Sequence, residues 1–95
     1  MRPDPTKYSE NTYDYTYFGQ FNESNRLHGK GILIWNRGDI LIGYWKNGDL
    51  STGNYIRIDS DGDFRVGEYY RKDGMRWKRG TKYNTDGTQT NFGHY

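Results

Sequence analysis

The densest group of carboxylates in the sequence is Asp59-Ser60-Asp61-Gly62-Asp63, the one stretch that could be read as a cation loop. A calcium loop of the helix-flanked kind needs glycine at its sixth position and a bidentate glutamate at its twelfth. Counted from Asp59, those positions hold Phe64 and Tyr70, so the segment reads as turn chemistry. The two histidines, His28 and His94, have no cysteine and no helical histidine pair to complete a metal site. Ser9, Ser24, Ser51 and Ser60 all sit in turn-like settings, and none has the strand-to-helix elbow that exposes a nucleophile. Catalysis, a metal and a cofactor are therefore not expected. The remaining chemistry is electrostatic. Between residues 65 and 82 stand Arg65, Arg71, Lys72, Arg76, Lys78, Arg79 and Lys82 against two carboxylates, Glu68 and Asp73, interleaved with Tyr69, Tyr70, Trp77 and Tyr83. Cations alternating with aromatic rings suit an anionic partner, either lipid head groups or an acidic protein surface. Nucleic acid is disfavoured, because the whole chain carries a net charge of only +2.

The elements that must position these side chains are strands. Within 95 residues there is no alanine and little aliphatic content, but ten Tyr, four Phe and three Trp supply apolar area. Tyr, Trp, Ile, Thr and Gly favour strands and turns, and no segment carries a sustained helical stripe. The absence of cysteine excludes disulfides. The first residues are polar, with Pro3 and Pro5, and no run approaches the ~18 apolar residues of a membrane helix. A soluble, intracellular protein is expected.

The organisation is repetitive. Gly-x-aromatic recurs as Gly19-Gln20-Phe21, Gly43-Tyr44-Trp45, Gly67-Glu68-Tyr69 and Gly93-His94-Tyr95, at intervals of 24, 24 and 26. A turn glycine recurs at Gly38, Gly62 and Gly87, at intervals of 24 and 25, and seven residues before each stand Gly31, Tyr55 and Gly80. The segments flanking each turn alternate as strands do, and Asn47-Gly48 and Asp73-Gly74 are strong hairpin signals. The prediction is an all-β fold, one antiparallel meander of stacked hairpins. Parity places Tyr17, Gly19, Phe21, Gly29, Gly31, Leu33, Trp35, Leu41, Gly43 and Trp45 on one face, and Ile32, Ile34, Ile40, Ile42, Ile56, Ile58, Phe64 and Val66 on the other. Glycine weakens a strand unless another group must approach closely, so the glycines are expected to make room for large rings. A single sheet cannot bury two apolar faces unless it curls or finds a cover.

These residues resemble the MORN repeat (membrane occupation and recognition nexus). Tyr17-Phe18-Gly19-Gln20-Phe21, with Gly29-Lys30-Gly31, Gly38-Asp39 and Gly43-Tyr44-Trp45, carries the resemblance best. The second unit keeps Gly43, Trp45, Asn47-Gly48, Gly53 and Asp61-Gly62 but has Tyr55 in place of a glycine; the third keeps Gly67, Tyr69, Gly80 and Asp86-Gly87. Three units follow, at about 17–40, 41–64 and 65–95, preceded by an arm over 1–16 whose alternating Tyr13-Asp14-Tyr15-Thr16-Tyr17 is expected to add a capping edge strand. The resemblance implies an elongated, twisted sheet that serves as a scaffold or accessory module, with association to phospholipids or dimerisation in some members.

The expected function is a non-enzymatic scaffold that docks a larger protein or forms a homo-oligomer. Phe21, Trp45, Tyr69 and Tyr95, chiefly a packing ladder, are the candidate partner-binding row, since Tyr and Trp dominate binding hot spots. The alternative is peripheral binding to an anionic membrane through Arg65, Arg71, Lys72, Arg76, Trp77, Lys78, Arg79 and Lys82.

Overall fold

The computed structural model describes residues 8–93. They form nine strands: β1 (Ser9–Asn11), β2 (Tyr15–Phe21), β3 (Leu27–Trp35), β4 (Ile40–Lys46), β5 (Asp49–Leu50), β6 (Gly53–Ile58), β7 (Phe64–Lys72), β8 (Met75–Tyr83) and β9 (Gln89–Phe92). All belong to one open antiparallel sheet in the order β1-β2-β3-β4-β6-β7-β8-β9, with β5 pairing the end of β4. Successive strands along this order are joined by hairpins, with β5 and β6 following one another along the same side of β4, so the sheet is the meander that the spacings predict. The molecule is a slab of 47 × 33 × 17 Å.

Two kinds of turn build it, each from the residues that tolerate the required backbone. Four turns have the same pair of closing hydrogen bonds, over 22–26, 35–39, 59–63 and 84–88. Each puts its fourth residue at positive φ: Asn25 at 58°, Gly38 at 102°, Gly62 at 99° and Gly87 at 89°. A short loop closed by a left-handed residue matches strand twist, and Asn and Gly adopt that conformation most cheaply. At the end of the strands that also carries the 22–26 turn, Asn47-Gly48 and Asp73-Gly74 have positive φ at both positions, the two-residue turn that their sequence signals.

Registry puts Tyr17, Leu33, Leu41, Arg57, Arg65 and Lys82 in one transverse row on what is here called the ring face. The core lies on this face: Tyr17, Leu27, Leu33, Leu41, Trp45, Tyr55 and Tyr69 are buried, with Tyr15, Phe21, Trp35, Leu50 and Phe92 packed against them. Tyr17 is fully buried, and its ring lies across Gly31 on the neighbouring strand. A Cβ on Gly31 would run into the Tyr17 Oη and its ring carbons. The hydroxyl reaches past the glycines and donates to the Gln20 carbonyl at 2.9 Å. Phe21 and Trp45 close on the same ring edge-on, at 5.2 and 6.0 Å between centroids, the geometry that aromatic quadrupoles favour. The glycines thus do make room for rings, most clearly in the first unit.

One expectation fails. The edge strand is β1, not Tyr13 to Tyr17; Tyr13 and Asp14 form a bend and the rest belong to β2. Thr12 explains the reversal. Its amide donates to the Tyr15 carbonyl and its hydroxyl accepts the Tyr15 amide, folding the chain back so that Ser9–Asn11 pairs β2. Tyr15 ties the edge down by donating to Glu10 at 2.8 Å; burial, then this carboxylate, pushes its phenol up to about 12.

Candidate interaction surfaces

The face opposite the core carries two apolar rows in register. Phe18, Ile32, Ile42, Ile56 and Val66 occupy one, and Ile34, Ile40, Ile58, Phe64 and Tyr83 the next. Nothing in the described chain covers them: Phe18 is 50% exposed, Val66 45%, and Ile32 and Ile56 38% each. Strand alternation causes this directly. The same hairpins that aim rings at the core aim every second residue outward, and in these two rows those residues are Ile, Val and Phe with Tyr83 at one end. The rows border a trough of about 800 Å³ whose floor is the backbone at Gly31, Gly43, Gly67 and Gly80, with Lys30, Glu68 and Arg79 along one side. This outer face is the large apolar surface that monomeric proteins rarely leave open.

The residues expected to receive a partner lie elsewhere. Trp45 and Tyr69 are 5% and 4% exposed, and Phe21 is half-buried against Tyr17. Trp45 also spends its indole N–H on the Gly31 carbonyl, at 3.2 Å. These three hold the core together and present little surface. Tyr95 lies outside the described residues. The outer-face rows were visible in the sequence as the second parity set, but composition alone does not tell which of two apolar faces a sheet will bury.

The basic stretch divides between faces. Arg65, Arg71, Arg76, Lys78 and Lys82 share the ring face; Lys72, Trp77 and Arg79 point outward. Several are engaged: Arg65 with Asp59 at 3.6 Å, Lys82 with Asp63 at 3.4 Å, and Arg79 with Glu68 at 3.4 Å while lying over the Tyr70 ring. Lys78 stands over the Tyr55 ring, 5.9 Å from its centroid. Arg71, Lys72 and Arg76 are exposed around the Asp73-Gly74 turn, with Met75 59% exposed beside them. Pairing with β6 ends at Tyr69, so the tip from Tyr70 to Trp77 reaches past that neighbour. Arg71 and Arg76 are directly opposite there, a like-charge pair that weakens the hairpin by itself.

The carboxylates of the acidic turn diverge. Asp59 holds Arg57 and Arg65, Asp61 accepts the Asp63 amide, and Asp63 accepts the Thr85 amide in the next turn. Asp39 has the same role in the preceding unit: buried, it accepts the Ser60 amide at 2.9 Å and pairs with Arg37 and Arg57. A ladder of Asp-to-amide bonds therefore links successive turns along one edge of the sheet. Among the described residues, no group of three His, Cys, Asp or Glu side chains converges as metal ligands.

No family model matches the chain, and no solved structure matches it. Over 48 residues, half of its length, it is 40% identical to a segment of the inactive protein tyrosine kinase pTKL of Plasmodium falciparum (isolate 3D7). The match spans 3% of that protein.

Proposed function

We propose that the chain is a non-enzymatic interaction module of MORN-type hairpin units, and that its outer face pairs with the outer face of a second copy. The observation that carries this reading is the unbroken apolar row Phe18, Ile32, Ile42, Ile56 and Val66 across five strands. Such a row is self-complementary: two sheets packed about 10 Å apart interdigitate side chains of this kind. The slab's 47 × 33 Å extent offers a footprint on the order of 1,500 Å², against the ~800 Å² that each partner of a stable complex contributes. The charges that line the trough, Lys30 on β3, Glu68 on β7 and Arg79 on β8, lie along one side of it. A two-fold axis running across the strands carries them past the partner's apolar rows, so like charges do not meet. A match confined to a small segment of a much longer chain also suits a module.

Light scattering across a concentration series tests the reading. The chain should be a dimer whose dissociation is insensitive to salt, and Ile32→Lys with Val66→Lys should leave a folded monomer. A wild-type monomer at high micromolar concentration removes self-pairing; loss in that variant of a partner retained by the wild type would assign the face to a different protein.

The projecting tip of β7 and β8 favours a second reading, attachment to an anionic bilayer. Arg71, Lys72 and Arg76 supply the charge, with Met75 and Trp77 beside them as interfacial anchors. Co-sedimentation with phosphatidylserine vesicles should then fall steeply with salt and with Arg71→Gln plus Arg76→Gln; no binding at low salt would end this reading.

A further inference from the structure

Pairing of two outer faces would leave the ring face open, and that face has a trough of its own. It holds about 610 Å³ and runs from β3 and β4, past the turn at Gly48 and β5, to β7 and β8. That volume lies in the range of small-ligand clefts. The core side chains Leu33, Leu41, Trp45 and Tyr69 line it, with half-buried Leu50 beside them.

Charge is confined to one end of this apolar lining. Both of its cations, Arg76 and Lys78, come from β8, and the leucines of β3 and β4 lie at the far end. Arg76 and Lys78 are two residues apart on one strand, so they share the ring face roughly 7 Å apart, near enough for both side chains to reach a single carboxylate. Neither is in an ion pair among the described residues: Lys78 stands over the Tyr55 ring, and Asp49, at the rim of the trough, pairs with neither. Arg71, exposed and directly opposite Arg76, adds like-charge repulsion that an anion would relieve. An apolar trough with uncompensated cations at one end is complementary to a molecule with an apolar tail and an anionic head.

We propose that the ring-face trough binds an amphiphilic monocarboxylate, its carboxylate on Arg76 and Lys78 and its hydrocarbon body passing Leu50 toward Leu41 and Leu33. From β8 to β4 is three strand spacings, roughly 14 Å, which suits the extended body of a medium-chain fatty acid. The guanidinium and ammonium supply charge-assisted bonds to the head, and the one-ended charge fixes the direction in which the ligand lies.

The test titrates the intact chain with decanoate, with decyltrimethylammonium and with acetate, each below any micellar concentration, and follows NMR shifts. Decanoate should give saturable shifts at Leu33, Leu50, the Trp45 indole N–H and Lys78. The tail with the opposite charge should bind at least about tenfold more weakly, and acetate, which lacks a tail, should not saturate. Arg76→Gln with Lys78→Gln should weaken decanoate about tenfold and leave the fold intact, because both side chains are exposed and unpaired; Lys72→Gln, on the other face, should change nothing. Equal affinity for the two tailed ions, shifts confined to Phe18, Ile32 and Val66, or full affinity in the Arg76→Gln, Lys78→Gln variant would each overturn the site. The outer face is not involved, so failure here leaves the self-pairing reading standing.

Discussion

One transverse row of the ring face changes character halfway across the sheet. Over β2 to β4 it reads Tyr17, Leu33 and Leu41, all buried; over β6 to β8 it reads Arg57, Arg65 and Lys82, with side chains 24%, 33% and 32% exposed. The backbone geometry is the same hairpin ladder in both halves. In the first half it is held by rings lying over glycines. In the second, carboxylates from the turns offset cations that oppose one another. The outer face shows no such change along its Phe18-to-Val66 row. One repeat can therefore keep its docking surface constant while its inner face shifts from a dry core to a charged basin.

The largest effect expected from this contrast comes from truncating the same row on either side of the change. Tyr17→Ala empties a fully buried ring site and removes the hydroxyl bond to Gln20, at a cost of about 3–5 kcal/mol in urea unfolding. Arg65→Ala removes a half-buried side chain with one long ion pair and should cost under ~1 kcal/mol. Equal losses would erase the distinction between the halves.

A smaller effect separates two glycines of the repeat, neither at positive φ. An alanine at Gly31 drives its Cβ into the Tyr17 ring, which has nowhere to retreat, and overpacking of this kind costs about 1–3 kcal/mol. At Gly43 the nearest atoms are the mobile Leu50 Cδ1 at 3.1 Å and the Tyr55 Cβ at 3.4 Å. Gly43→Ala should stay within about 1 kcal/mol of wild type, with a stabilising contribution from the stiffer unfolded chain. If Gly43→Ala proves the worse of the two, ring-over-glycine packing is not what holds the first half.

How much of this was written in the sequence follows from range. The 24-residue spacing, Asn47-Gly48 and Asp73-Gly74 are local signals, and they placed the turns and the strand parity correctly. The three-residue edge strand Ser9–Asn11 is too short to show a period, so the Tyr13 to Tyr17 alternation drew the edge to the wrong segment. Leu27 follows the polar run Asn22-Glu23-Ser24-Asn25-Arg26, yet it is buried, because registry with the next strands decides burial there. Tyr55 stood out as a departure from the repeat glycine. That its hydroxyl would be buried without a partner and its ring covered by Lys78 depends on strands far apart in the chain meeting, which no single segment encodes.

The seam between the halves gives the smallest and most specific prediction. Asp39 closes the turn of the first unit and accepts the Ser60 amide of the second. That bond, then the Arg37 and Arg57 guanidiniums, holds its carboxyl below the usual carboxylate range. A carboxyl lowered on folding adds stability that is complete above the unfolded value of about 3.9 and is lost as pH falls through the folded value. Asp39→Asn keeps the shape but forfeits the charge, so it should be less stable than wild type near neutrality and converge on it below about pH 4. Urea midpoints measured from neutral to strongly acidic pH read this directly. A gap that persists unchanged into acid would mean the turn is joined by shape alone, and that the carboxylate ladder is not what couples the ring-packed half to the charged one.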